Sequence, residues 1–92
     1  MLKPEFTAQF KRDYKLALRR GLNPKKLEAV VSLLCKEKPL PQKYKDHPLA
    51  ASQKYNGVRE CHIEPDWLLV YKVLKSELIL KLVRTGSHSD LF

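Results

Sequence analysis

Three histidines, an aspartate and an arginine are the residues of this chain best suited to proton transfer and anion stabilisation: His47, His62 and His88, with Asp66 and Arg84. Histidine takes or gives a proton near neutral pH, so converging imidazoles beside a cation suit general acid-base work on a phosphodiester. Arg84, four residues before His88, supplies such a cation. Each residue also has an ordinary structural explanation, as a loop cap, a turn residue or half of a salt bridge. The combination is what is unusual.

Other chemistries fit less well. A zinc site built from His47, His62, Asp66 and His88 matches no compact ligand motif, and neither a metal nor any other cofactor is expected. Cys61 lies in an alternating strand pattern with no oxyanion loop beside it, which argues against a cysteine nucleophile. Cys35 and Cys61 lack the close spacing of redox or metal motifs and are expected to be reduced and packed.

The elements that must position these residues can be read from periodicity. Phe6, Phe10, Tyr14, Ala17 and Leu18 recur at near-helical spacing after Thr7, with Lys11, Arg12, Lys15 and Arg19 on the other side. Gly21 should end this helix, and Asn23-Pro24 should open a second one. Leu27, Val30, Val31 and Leu34 form its apolar stripe, and Pro39 closes it by about Glu37 or Lys38. Residues 39 to 57 carry three prolines and an Asn-Gly turn signal, and read as a long loop packed on the body.

Three apolar segments follow, Val58 to Ile63, Trp67 to Val73 and Glu77 to Arg84, and read as an antiparallel meander. The helical hairpin covers one face of this sheet, and Met1 to Phe6 can add an edge strand. The fold class is therefore α+β, a single domain over residues 1–92 with the order β-α-α-β-β-β. The turn at Glu64-Pro65-Asp66 keeps His62 near Asp66 and Trp67, and the antiparallel third strand returns Arg84 to the same edge. A loop folded over that edge would add His47, beside an exposed face of Trp67 on which a base could stack.

The chain has 92 residues, too few for two cores, which excludes a multidomain enzyme. Its net charge of +8 is carried by one half: residues 1 to 45 hold 12 Lys/Arg against 4 Asp/Glu, and residues 46 to 92 hold six of each. Such a basic half suits a polyanion or an acidic protein partner. No apolar run reaches the length of a membrane span and no signal peptide is visible, so a cytoplasmic protein without a membrane partner is expected.

Three blocks carry a resemblance. Leu40-Pro41-Gln42-Lys43-Tyr44-Lys45-Asp46-His47-Pro48-Leu49, the run from Tyr55 to Lys72 that contains His62-Ile63-Glu64-Pro65-Asp66-Trp67, and Arg84-Thr85-Gly86-Ser87-His88-Ser89-Asp90-Leu91-Phe92 resemble the YafQ branch of the RelE/ParE toxin superfamily. The resemblance implies a microbial RNase fold with two N-terminal helices packed on a small antiparallel sheet. It implies metal-independent cleavage of messenger RNA in the ribosomal A site, restrained by a cognate antitoxin with an acidic segment. On the same basis His47, His62 and Asp66 would handle protons and position the 2′-OH. Arg84 would stabilise phosphate charge, and His88 would be the general acid. Trp67 and Phe92 would shape the nucleotide pocket, Lys45 would bind substrate, and Lys11, Arg12, Lys15, Arg19 and Arg20, with Lys25 and Lys26, would face ribosomal RNA phosphates or the acidic antitoxin. The general base stays open, with Asp66 or His47 preferred to His62. The competing reading is a non-catalytic basic module of the same fold, such as a topoisomerase poison, which would have no use for His88.

Overall fold

The structure is a computed structural model that describes residues 1–49 and 57–91. Strand β1 (Lys3–Phe6) leads into helix α1 (Ala8–Arg19) and helix α2 (Pro24–Cys35). Thr7 caps α1 by accepting the Phe10 N–H at 3.0 Å, and Asn23 caps α2 by accepting the Lys25 N–H at 3.0 Å. At the end of α1, Gly21 takes φ +81° and the chain reverses through bonds from Gly21 N–H to Leu18 and from Leu22 N–H to Ala17. Helix α2 stops at Cys35, earlier than expected, because Glu37 takes the left-handed role (φ +56°) and Lys38 N–H turns back to the Leu33 carbonyl.

Strands β2 (His47–Pro48), β3 (Arg59–Glu64), β4 (Trp67–Leu74) and β5 (Ile79–Gly86) follow, and helix α3 (His88–Leu91) closes the described chain. The sheet runs β1-β5-β4-β3-β2. Strands β2 to β5 are antiparallel to their neighbours, as the meander requires, but β1 pairs in parallel with β5, so the sheet is mixed. Two elements correct the sequence reading. The loop contains the edge strand β2, where Pro48 is tolerated because edge positions need no full ladder. The tail after Gly86 is helical.

The core joins Phe10 and Ala17 of α1 and Leu27, Val30 and Leu34 of α2 to Cys61, Ile63, Trp67, Leu69, Tyr71, Leu80 and Leu82. Burying each large apolar side chain there contributes about 1.5–3 kcal/mol before the cost of ordering it. Phe6 and Leu18, assigned to the helical stripe by spacing, are instead 49% and 42% exposed.

The sheet is covered on both faces. Val58, Leu68 and Val70 form a second apolar cluster on the side away from the hairpin, closed by Leu91 of α3 and by Leu49 and Val83. Trp67 to Tyr71 are consequently all buried, where alternation predicted a strand with one open face. Both cysteines are free and buried, and burial together with neighbouring Asp46 and Glu60 pushes the Cys61 thiol up to about 12. None of the helices among the described residues is long and apolar enough to cross a membrane.

Candidate active site

The side chains of β3 alternate across the sheet. Cys61 and Ile63 enter the core under the helices, which turns Glu60 and His62 to the opposite face. Strand β2 pairs His47 with Glu60. The Glu60 carboxylate, 5% exposed, puts Oε1 3.3 Å from His47 Nε2 and 3.5 Å from His62 Nε2. A carboxylate is seldom buried without partners, and these two imidazoles are its partners. The remaining nitrogen of His47 faces the Pro48 carbonyl at 3.0 Å, and that of His62 faces the Pro65 carbonyl at 3.4 Å.

Asp66 sits at the hairpin turn and reaches the other end of the molecule's histidine row. Its Oδ1 accepts the His88 backbone N–H at 3.0 Å and lies 2.7 Å from His88 Nδ1. These contacts, the backbone one foremost, hold the Asp66 carboxyl below its ordinary value. The three rings form a continuous row: the His47 and His62 centroids are 6.3 Å apart, and those of His62 and His88 are 5.6 Å apart. His47, His62, Asp66 and His88 are thus brought together, with Glu60 added. Sequence reasoning missed Glu60, although its i, i+2 spacing to His62 was a usable signal.

Arg84 lies on the neighbouring side. Tyr71 pairs with Leu82 and Val70 with Arg84, so Val83 is an extra residue in β5 and the chain bulges there. The Arg84 fork grips Asp13 of α1 through Nε and a terminal nitrogen, both at 3.0 Å, and Asp13 also accepts the Thr85 N–H at 3.2 Å. Burial works to raise the Asp13 pKa, but the bonds from Arg84, Gln9 and Thr85 outweigh it and hold the carboxyl below its ordinary value. Arg84, Asp66 and Arg12 line one hollow of about 480 Å³.

A groove of about 620 Å³ opens on the other side of His62, between α2 and the turn before β2. Lys25, Lys26, Lys43 and Lys45 line it with Tyr44, Glu64 and Pro65. Lys45 is therefore beside the histidine row, held in a left-handed conformation at φ +47°. Lys11 and Lys15 are not: they border an apolar groove with Phe6, Phe10, Tyr14, Leu27 and Val31 on another face of the hairpin.

Trp67 is a further correction. Its ring is 1% exposed and its Nε1–H donates to Thr85 Oγ1 at 2.9 Å, so it offers no open face to a base and instead supports the edge from within. Phe92 and the stretch 50–56 lie outside the described residues. Another group that spacing did not reveal is Asp46, which bonds Arg59 at 3.1 Å and the Tyr71 hydroxyl. Burial and that bond push the Tyr71 pKa up.

Residues 2–92 match the family model described as the bacterial toxin of type II toxin-antitoxin system, YafQ. The chain belongs to the YafQ family. This YafQ-family chain is 44% identical over 89 residues to the mRNA interferase toxin YafQ of Escherichia coli strain K12, covering 96% of this chain and 92% of that protein. It is 36% identical over 94 residues to a putative toxin YafQ of Haemophilus influenzae, covering 97% and 90%. Among solved structures, a metal-bound toxin from Helicobacter pylori superposes with TM-score 0.92 at 49% identity over the whole of both chains. YafQ in the E. coli DinJ-YafQ complex superposes with TM-score 0.89 at 42% identity, over 100% of this chain and 99% of that one. The RelE-like α+β fold expected from the sequence is therefore the fold of this family's solved members.

Proposed function

We propose that this toxin, an endoribonuclease of the mRNA interferase type, cuts messenger RNA in the ribosomal A site, in the cytoplasm, by acid-base catalysis on the RNA's own 2′-OH. The observation that supports this reading is the row of three imidazoles with two carboxylates against it, Glu60 between His47 and His62, and Asp66 on His88. Attack by the 2′-oxygen on the adjacent phosphorus requires removal of the 2′ proton, stabilisation of the extra negative charge and a proton for the departing 5′-oxygen.

The row can divide this work. Asp66 accepts a hydrogen bond from His88 Nδ1–H, which leaves Nε2 as the nitrogen that delivers a proton to the 5′-oxygen. That engagement moves Asp66 from candidate base to orienting residue. Proton removal then falls to His47, Glu60 and His62, whose carboxylate oxygen and ring nitrogens stand 3.3 and 3.5 Å apart and are best assigned the base role together. Arg84 supplies positive charge from its own hollow, and Lys25, Lys26, Lys43 and Lys45 provide a path for the RNA backbone past His62.

The proposed protein partner is a cognate antitoxin with an acidic segment, since the solved E. coli relative is a DinJ-YafQ complex. Lys11 and Lys15, set around apolar Phe6, Phe10, Tyr14 and Val31, suit contact with an acidic amphipathic segment better than contact with RNA.

Primer extension on a defined message in a chelator-treated translation system, with and without ribosomes, tests the reading. Discrete A-site breaks that need ribosomes and vanish in His88→Ala are expected. Translation arrest without cleavage would overturn it in favour of a binding toxin, which His88→Ala would leave active.

A second reading concerns the same residues. The ligand atoms of His47, Glu60 and His62 all lie within 4.8 Å of one another, a nitrogen-rich set that fits a late first-row ion. A solved H. pylori relative is metal-bound. An ion held there would occupy the nitrogens that acid-base cleavage needs, so it would act as an inhibitor.

A further inference from the structure

His88 opens α3, a helix of only four residues. So short a helix has almost no stability of its own. The position of the imidazole therefore depends on what ties α3 to the body. Asp66 holds its first residue, through the backbone N–H and Nδ1 of His88. Leu91 packs its last described residue into the outer apolar cluster. Between them, Asp90 receives the guanidinium of Arg20 in a two-pronged pair, with one terminal nitrogen 2.6 Å from Oδ2 and the other 3.3 Å from Oδ1.

Arg20 is itself fixed. It is the C-cap of α1, and its N–H bonds the Leu16 and Ala17 carbonyls at 3.1 and 3.2 Å. The Asp90 carboxylate reaches back as well, accepting the Ser87 N–H at 2.9 Å, while Asp90 N–H approaches Ser87 Oγ at 3.2 Å and the Ser87 carbonyl at 3.1 Å. One carboxylate thus joins the end of α1 to the residue immediately before His88. Gly86 leaves room for it, since a Cβ there would stand 3.0 Å from both Asp90 Cβ and Oδ2.

We propose that Arg20, acting through Asp90, is a positioning residue for His88: the ion pair between the end of α1 and α3 sets where the imidazole stands against Asp66 and the histidine row. The effect on cleavage rests on the role proposed above for His88; the effect on His88 itself does not. With Arg20 removed, Asp66 at the first residue and Leu91 at the last remain as ties, and the link from Asp90 to α1 is lost, so α3 can shift about the Gly86-Ser87 junction. A misplacement on the order of 1 Å in a proton donor costs about 100-fold in rate. An exposed ion pair contributes little to global stability, so the defect should be local.

The test compares Arg20→Ala and Arg20→Lys with the wild-type toxin in ribosome-dependent cleavage, with 15N relaxation at the His88 amide and thermal melting alongside. Arg20→Ala should lower kcat by about 10- to 100-fold with KM changed less than about twofold. It should raise the mobility of His88 and move Tm by no more than about 3 °C. Arg20→Lys, which restores one charged contact, should recover part of the rate. Gly86→Ala, which presses on Asp90 with Arg20 intact, should show the same local loosening. An unchanged His88 amide in Arg20→Ala would overturn the proposal, and so would a defect confined to KM, which marks a phosphate contact. If the wild type does not cleave, the functional reading fails, and the relaxation data alone decide the positioning.

Discussion

Asp13 and Arg84 are 71 residues apart in sequence, yet their side chains meet in a parallel two-bond pair, both bonds at 3.0 Å, with the Asp13 side chain only 9% exposed. The pair fastens the first helix to the end of β5, just before the segment that carries His88. Asp13→Asn keeps the shape and removes the charge that faces the partly buried Arg84 guanidinium. A loss of about 2 kcal/mol and a fall in Tm of about 10 °C are expected. Thermal and urea unfolding measure this, and a change within about 2 °C would assign the pair no structural weight.

The same pair predicts a pH dependence. The folded-state pKa of Asp13 is below its unfolded value, so its contribution is fully present above about pH 4 and is lost as pH falls through the folded value. The stability gap between wild type and Asp13→Asn should therefore stay constant from pH 7 to about 4 and narrow in stronger acid. Urea midpoints across that range read it directly. A gap that widened in acid would contradict the assignment.

Glu60 supplies a sharper test of the proposed chemistry. Glu60→Gln retains a hydrogen-bonding side chain of the same size between His47 and His62 but cannot take a proton. If the three residues share the base role, kcat should fall about 100-fold with KM little changed. A fall below about twofold would leave Glu60 as a packing partner of the two histidines.

These residues also show where sequence reading succeeds and where it stops. A tight turn and antiparallel pairing leave little freedom in where His62, Asp66 and Arg84 go, a loop folded over that edge adds His47 and His88 follows Arg84 by four residues, while the resemblance supplies their roles; Arg84 nonetheless turns aside to Asp13. Glu60 escaped because charged residues in half-buried strands usually face water, and nothing local says that two imidazoles will enclose this one. Trp67 was misassigned for a non-local reason. Its ring turns to the hairpin side with Leu69 and Tyr71 and is buried in the main core under α1 and α2, whereas α3 and Leu49 close the other face over Leu68 and Val70, and a four-residue helix has no periodicity to detect. Strand β2 was hidden by Pro48, whose breaking tendency is real but harmless at a sheet edge. The basic residues of α1 were grouped by charge alone, and the helix then sent Arg12 toward Arg84 and Lys11 and Lys15 elsewhere.

Backbone strain offers a prediction independent of function. Leu78 follows the tight turn before β5 at φ +55°, in the left-handed region, with its side chain 53% exposed. A side chain there costs about 1–2 kcal/mol, and little burial offsets it. Leu78→Gly should stabilise the protein by about 0.5–1 kcal/mol after the extra entropy of an unfolded glycine is subtracted. That is a rise in Tm of about 4 °C. Cleavage should be unaffected, since the turn lies at the opposite end of β5 from Arg84, and an unchanged or lower Tm would contradict the strain argument.

The proposed acid-base chemistry and the metal-ligand geometry of His47, Glu60 and His62 lead to one further expectation, in which the two readings pull in opposite directions. Chelation selective for transition-metal ions, with Mg2+ kept for the ribosome, should leave cleavage unchanged, because protons and fixed charge carry out every step. Added cupric or zinc ion at micromolar levels should inhibit, with full recovery on chelation, since the ion competes with the proton for the same nitrogens. His47→Ala should weaken binding of the ion by at least about tenfold, measured calorimetrically on the isolated toxin, whereas His88→Ala should leave it unchanged because His88 is paired to Asp66 rather than to Glu60. Loss of cleavage on chelation would overturn the metal-independent mechanism. Inhibition that survived chelation, or ion binding that ignored His47→Ala, would remove the metal from this site and leave the histidine row to RNA alone.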